Sequence, residues 1–211
     1  MGIGGNNYYK NCYVDLKETC LRSETTVKVF DQMRKLQGFT DEGSPGRDWN
    51  VATGMVIEGK AGFQIMGDWA KGEFTAAGKV PGVDYYCAAT PSNNGYLYNV
   101  DSFIFYKTSD PDKQEGQKLL AKLMMGKNFQ KVFNLYKGSI PARLDVPMDE
   151  FDKCAKTSNA DIKTAGAKGG LVPSFAHGMA QGNTMKAALQ DVITEHFNSN
   201  MSSVDAANAL A

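Results

Sequence analysis

The segment at residues 59–74, GKAGFQIMGDWAKGEF, constrains the fold more than any other part of the chain. Its apolar residues form a short run with a glycine on each side, the pattern of a buried strand: Ala61, Phe63, Ile65 and Met66. A helical stretch over residues 69–78 is expected to follow the turn at Gly67-Asp68. Trp69 is therefore predicted at the exit of a strand, where ligand sites in α/β proteins concentrate. A role in the core fits the position of this aromatic ring equally well.

Composition limits the partners of the chain. The 211 residues suffice for one large domain or two small ones, and 42% hydrophobic with 22% charged residues is ordinary for a soluble globular protein. Basic and acidic residues both number 23, so no basic field for nucleic acid or an anionic membrane is predicted. No apolar run reaches the roughly 18 residues that a membrane-spanning helix needs.

Apolar periodicity and capping residues predict a helix-rich chain with few strands. Helices are predicted over residues 23–36, 49–58, 112–125, 127–136, 148–165 and 184–197, with a last short helix after Ser202. Asp48, Asp110 before Pro111, and Ser202 are the predicted N-caps. Further strands are predicted over residues 83–88 and 102–106, and a loop over residues 90–95. An independent α/β domain would alternate strands and helices more often, so the pattern favours a fragment.

Sequence motifs of enzymes are missing from the chain. It has no G-x-S-x-G elbow, no phosphate loop and no H-E-x-x-H, and nothing in the sequence brings Asp101 and Glu73 together as an acid/base pair. The four cysteines have no metal-ligand spacing; they are buried thiols or disulfides depending on the compartment, and three pairings are open. We therefore expect a non-enzymatic protein with neither cofactor nor metal.

Several short motifs, in order along nearly the whole chain, resemble one family. They are SPGRDWN at residues 44–50, GDWAKGEF at 67–74, YNVDSF at 98–103, KGSIPAR at 137–143, AHG at 176–178 and the tail at 191–210. This set resembles the sugar-binding proteins of bacterial ABC importers, in the solute-binding protein family 1, and within it the glucose/mannose-type periplasmic proteins. Such proteins are roughly twice as long and carry a signal peptide and an N-terminal lobe. Since residues 1–5 are too short and glycine-rich for a signal peptide, we expect a truncated chain.

The resemblance implies an α/β fold of the type II periplasmic-binding-protein kind. Residues 1–98 and 138–211 would form the helix-rich second lobe, and residues 99–137 would cross to the first lobe. The implied partners are a monosaccharide, the permease subunits of the importer and the missing N-terminal lobe, in the periplasm and without nucleic acid. A lobe without its mate would expose apolar surface, so self-association of the fragment is also expected.

The resemblance also implies a sugar site. Trp69 would stack on the sugar ring, Asp101 would accept hydrogen bonds from hydroxyls, Lys137 would donate, and His177 would bond a further hydroxyl. Taken singly, each has a plainer interpretation: Asp101 as a turn residue, Lys137 as a solvated lysine and His177 as an ordinary loop histidine. Trp49 is assigned to the core.

The resemblance further suggests a disulfide between Cys87 and Cys154. Cys87 ends a predicted strand, Cys154 shares an inward helix stripe with Phe151, and both would lie in the second lobe near the lobe crossing. Cys12 and Cys20 are expected to be free. Together these features predict the solute-binding component of a sugar importer, specific for glucose or a related hexose. The alternative is a small carbohydrate-active enzyme or a lectin-like domain.

Overall fold

The computed structural model describes residues 1–92 and 95–211, so the predicted loop at residues 90–95 lies partly outside the described residues. The described elements, in chain order, are α1 Gly5–Tyr9, a π-helix Lys10–Val14, α2 Glu18–Leu21, α3 Glu24–Gln37, α4 Trp49–Ile57, a 3-10 helix Asp68–Ala70, α5 Lys71–Ala76, β1 Tyr96–Tyr98, α6 Pro111–Met124, α7 Lys127–Lys137, α8 Lys153–Ala167, β2 Leu171–Pro173, α9 Asn183–Asn198 and α10 Ser203–Ala209. The prediction of a helix-rich α/β chain is confirmed. Among the described helices, none is long and apolar enough to cross a membrane.

The chain divides into two compact units. Unit 1 comprises residues 1–47, 90–99 and 161–211, and unit 2 comprises residues 48–89 and 100–160. The boundary at residues 160 and 161 falls within α8. Each unit has a hydrophobic cluster of its own.

The core of unit 1 forms where α3 packs against α9 and α10. Phe30 on α3 is buried, as are Leu189 on α9 and Ala206 on α10. β1 pairs in parallel with β2, and the central residue of β2, Val172, is fully buried. Each strand has three residues, which is too short for a period-two pattern to show in the sequence.

The N-terminal segment of unit 1 packs through tyrosines onto the chain that follows β2. The Tyr9 hydroxyl donates to the carbonyl of Pro173 at 2.9 Å and accepts from the Phe175 amide at 2.8 Å. Cys12 and Cys20 are joined by a disulfide. The expectation that these two cysteines are free is therefore wrong, because the π-helix and α2 bring their Cα atoms within 5.2 Å.

Unit 2 contains α4 to α7, the first part of α8 and a small apolar cluster of Val146, Phe151 and Ala155. Cys87 and Cys154 are joined by a disulfide, the pairing that the resemblance suggested. The helix expected from residue 148 begins at Lys153, because the Asp152 carboxylate accepts from the Ala155 amide at 2.8 Å and starts the helix there.

The three strands predicted in unit 2 are not present as strands. Residues 61–66 and 102–106 are outside any helix or strand, and residues 83–88 contribute only an isolated bridge between Pro81 and Tyr85. Their apolar side chains are exposed, with Phe63 94% and Ile104 77% accessible. A strand needs a hydrogen-bonded neighbour, and within the described residues no ladder forms on these segments. Trp49, assigned to the core, is 40% exposed at the start of α4, which corrects that expectation.

Candidate functional site

The structure divides the four candidate sugar-binding residues between the units. Trp69, Asp101 and Lys137 belong to unit 2, and His177 belongs to unit 1. Trp69 lies in the 3-10 helix before α5, and Lys137 is the last residue of α7. Asp101 lies in the irregular segment before α6, and His177 lies in the turn after β2.

Two glycines let the first turn of α5 approach the end of α7. Gly138 ends α7 in the left-handed conformation, with φ of +87°, and a Cβ atom there would lie 2.5 Å from the Gly72 amide nitrogen. A Cβ atom on Gly72 would lie 2.8 Å from the carbonyl oxygen of Lys137. Because neither glycine carries a side chain, the backbone of Lys137 contacts the helix that follows Trp69.

The Asp68 carboxylate ties the same two segments together. Its Oδ2 atom accepts a hydrogen bond from the Ile140 amide at 3.1 Å. Burial raises the pKa of Asp68; the Ile140 hydrogen bond and the nearby charges of Lys71 and Lys137 oppose that rise. Asp68 therefore connects the 3-10 helix that carries Trp69 to the loop that follows Lys137.

A partly buried ion pair also anchors α5. Lys71 is only 6% exposed, and its Nζ atom lies 2.7 Å from Oδ2 of Asp152. Asp152 also begins α8, so this one carboxylate joins the starts of two helices. The 3-10 helix is thus held by the Asp68 hydrogen bond, and the helix that follows it is held by the Lys71 ion pair.

The Trp69 indole lies over Gly67, where any side chain would overlap the ring. Trp69 is half-buried. The chain at Gly67 therefore lies directly against the indole ring.

Lys137 and Asp101 form an ion pair through Nζ and Oδ2. The Lys137 ammonium also lies 5.8 Å from the centre of the Phe133 ring, one helical turn earlier on α7. The Asp101 side chain is 63% exposed and that of Lys137 is 29% exposed. Such a pair contributes little to stability, yet it presents a strong donor and a strong acceptor at one place on the surface.

His177 is oriented by a buried serine. Its Nδ1 atom lies 2.7 Å from the hydroxyl oxygen of Ser174, which is 1% exposed and directly follows β2. The imidazole itself is exposed. This contact fixes the direction of the ring through one nitrogen.

The motifs predict candidate sugar ligands, but they do not predict the residues that hold the segments of these ligands in place. Asp68, Gly72, Gly138 and Ser174 act through backbone amides, close backbone approaches or a single hydroxyl. The Gly138 position had a recognisable signal, since a glycine directly after an amphipathic helix favours a left-handed cap. Asp68 had none, because its partner amide is 72 residues away. No cluster of metal-ligating side chains occurs among residues 1–92 and 95–211.

Comparison with known proteins is consistent with the resemblance found in the motifs. Residues 9–164 match the family described as bacterial extracellular solute-binding protein. A probable sugar-binding periplasmic protein of Brucella suis biovar 1 (strain 1330) is 47% identical over 207 residues, which are 98% of this chain and 49% of that protein. The corresponding protein of Rhizobium meliloti (strain 1021) is 44% identical over 98% of this chain and 50% of its own length.

A further relative has a lower identity to this chain. An uncharacterized ABC transporter extracellular-binding protein of Pyrococcus horikoshii is 31% identical over 196 residues, 92% of this chain and 43% of that protein. The chain therefore spans about half the length of the curated relatives it matches.

Proposed function

This chain belongs to the family of bacterial extracellular solute-binding proteins, and from that premise we propose that it contributes to the solute-binding component of an ABC sugar importer. The proposed ligand is a monosaccharide, glucose or a related hexose, and the proposed receiver is the permease of the importer. The relatives named as sugar-binding and periplasmic support both the ligand class and a periplasmic location.

The ion pair between Lys137 and Asp101 is the observation that carries the proposal. It sets a donor and an acceptor at the end of α7, and the backbone of Lys137 contacts the helix that follows Trp69. Sugar recognition needs this combination of directional polar groups and an aromatic face. In the proposed site of unit 2, Trp69 stacks on the ring, and Asp101 and Lys137 bond its hydroxyls. His177 is proposed as a further sugar ligand.

Capture of the sugar by closure of two lobes is proposed for the whole protein. The chain spans about half the length of its relatives, so part of the sugar contacts would come from residues outside it. Closure would then be a population shift, driven by a ligand that contacts both lobes. No chemical step is part of this function.

Titration of the chain with D-glucose and L-glucose tests the proposal. The mirror-image sugar has the same polarity and the same effect on the solvent, but it cannot match the hydrogen bonds of a chiral site. With part of the contacts absent, we expect a fluorescence response to D-glucose in the millimolar range, about −4 kcal/mol of binding free energy. We expect no such response to L-glucose and no micromolar binding by calorimetry. Equal responses to the two sugars, or no response to either, would contradict the proposal.

The two tryptophans of the chain provide a matched pair of variants. Trp69→Ala should abolish D-glucose binding, followed by ligand-detected NMR because this variant lacks the Trp69 fluorophore, and should change the melting temperature little. Trp49→Phe should leave the fluorescence response in place. If Trp69 were instead a core residue, its replacement would cost about 3–5 kcal/mol of unfolding free energy. A large drop in melting temperature with unchanged sugar affinity would favour the core interpretation.

An activity assay separates the alternative functions. A small carbohydrate-active enzyme would release reducing sugar from di- and oligosaccharides, and a lectin-like domain would bind them without turnover. We expect binding of monosaccharides and no release of reducing sugar. Measurable turnover that is lost in Asp101→Asn would support the enzyme in place of the importer component.

A further inference from the structure

We propose that Asp68 is a positioning residue for the sugar site, an inference that rests on the proposed function. Its carboxylate does not have to touch the sugar. It holds the 3-10 helix of Trp69 against the loop after Lys137, and so fixes the distance between the stacking ring and the ammonium group.

The hydrogen bond of Asp68 links two segments that are far apart in sequence. Its Oδ2 atom accepts from the Ile140 amide at 3.1 Å, across 72 residues of sequence. Ile140 follows Lys137 by three residues, and Trp69 follows Asp68 directly. One carboxylate thus joins the two segments that carry two of the proposed sugar ligands.

Close backbone contacts and an ion pair hold the segments around Asp68 in place. Gly72 and Gly138 bring the backbones of these two segments into contact, where a side chain on either glycine would overlap the neighbouring backbone. The ion pair of Lys71 with Asp152 also holds α5. With α5 held by these contacts, the Asp68 bond determines how the 3-10 helix is oriented relative to the end of α7.

The Asp68 side chain serves this role as a hydrogen-bond acceptor. Its carboxylate lies near the ammonium groups of Lys71 and Lys137, while burial opposes its ionised form. An uncharged acceptor of the same shape would keep the geometry of the bond, so Asp68→Asn is expected to preserve the positions that Asp68→Ala loses.

The test follows Trp69 directly in a Trp49→Phe background, where Trp69 is the only tryptophan. Acrylamide quenching of Trp69 without added sugar reports its position, and the difference between the D-glucose and L-glucose responses reports binding. We expect Asp68→Ala to change the quenching constant about twofold and to raise the D-glucose dissociation constant at least tenfold. Asp68→Asn should keep both within about twofold of the parent.

Asp84 provides the matched control. Its carboxylate accepts from the Val80 amide at 2.7 Å in an exposed turn of the same unit. Asp84→Ala removes a bond between residues four apart in sequence, which does not join the segments of Trp69 and Lys137, and should leave both readouts unchanged. If Asp68→Ala does not fold, Asp68→Asn and Asp68→Glu decide, because the longer side chain should misplace Trp69 and weaken binding at least tenfold.

The two proposals fail in different ways. If the parent shows no D-glucose-specific response, the proposed function is wrong, and the quenching of Trp69 alone decides the role of Asp68. If the parent binds D-glucose but Asp68→Ala leaves both readouts unchanged, the positioning role is wrong. It is also wrong if Asp68→Asn is as damaging as Asp68→Ala, or if Asp68→Glu matches the parent.

Discussion

The two histidines of the chain both lie in unit 1, but they differ in burial. His177 is exposed, and its Nδ1 atom contacts the hydroxyl of Ser174. His196 is fully buried, with its ring centre 4.7 Å from that of Phe30 and its Nε2 atom 3.4 Å from the Ser203 hydroxyl. The burial of His196 identifies a structural role for this residue.

Acid should destabilise unit 1 through His196. Burial lowers the pKa of His196, Arg34 lowers it further, and Asp31 opposes the change. Between the lowered pKa and the ordinary value near 6.5, the unfolded chain takes up a proton that the folded chain does not. The free energy of unfolding should therefore fall as the pH drops below about 6.5, by at most about 1.4 kcal/mol per pH unit for one proton.

Urea unfolding at a series of pH values, followed by far-UV circular dichroism, measures the effect. His196→Gln should be less stable than the parent at neutral pH but should lose this part of the pH dependence. His177→Gln is the matched control, and it should retain the loss of stability in acid. A parent profile that is flat between pH values of about 5 and 7, or that rises toward acid, would contradict the assignment.

The sequence predicts residues that belong to a recognisable motif. It does not predict residues whose hydrogen-bond partner is a backbone group far away in the sequence. Asp101 and Lys137, chosen by resemblance, form an ion pair across 36 residues of sequence. Trp69 was placed beside a helix start, and it lies in the short helix before α5. The contact of Asp68 with Ile140 was not predicted, because a side chain that accepts a hydrogen bond from a distant backbone amide leaves no pattern in the sequence.

At the scale of elements, the sequence predicted helices well and strands poorly. The helices carry their own signals, as at Asp110, whose carboxylate accepts from the amides of Asp112 and Lys113 to begin α6. A strand depends on a neighbour that the pattern of one segment does not reveal. Residues 61–66 and 102–106 have the apolar pattern of strands, but no ladder forms on them within the described residues.

The N-cap of α10 allows the stabilising effect of one such helix signal to be measured directly. The Ser202 hydroxyl accepts from the Asp205 amide at 3.0 Å and donates to its carboxylate at 2.6 Å. The helix that it begins buries Ala206 and Ala207 in the core of unit 1. Ser202→Ala should therefore lower the free energy of unfolding by about 1 kcal/mol.

Urea unfolding of three variants checks this value. Ser202→Thr keeps a capping hydroxyl and should recover most of the loss. Ser109→Ala removes an exposed serine hydroxyl from unit 2 and should change little. If Ser202→Ala and Ser109→Ala lower the free energy of unfolding equally, the N-cap of α10 does not stabilise the protein more than an exposed serine hydroxyl does.

At the scale of the whole molecule, each unit contains one disulfide. Cys12 and Cys20 are both in unit 1, and Cys87 and Cys154 are both in unit 2. The first joins residues 8 apart in sequence and the second joins residues 67 apart. A cross-link that closes a longer loop removes more conformational freedom from the unfolded chain, so the two bonds should differ in their effect on stability.

Paired cysteine variants test both the pairing and its effect. Cys87→Ala with Cys154→Ala should lower the free energy of unfolding by roughly 4 kcal/mol, and Cys12→Ala with Cys20→Ala by roughly 2.5 kcal/mol, on the chain-entropy model. Non-reducing peptide mapping of the oxidised parent should recover two linked peptide pairs, one for each unit. The pairing is wrong if the Cys87 and Cys154 peptides are alkylated separately without prior reduction. The loop-length explanation is wrong if loss of the shorter loop costs clearly more in urea unfolding than loss of the longer one.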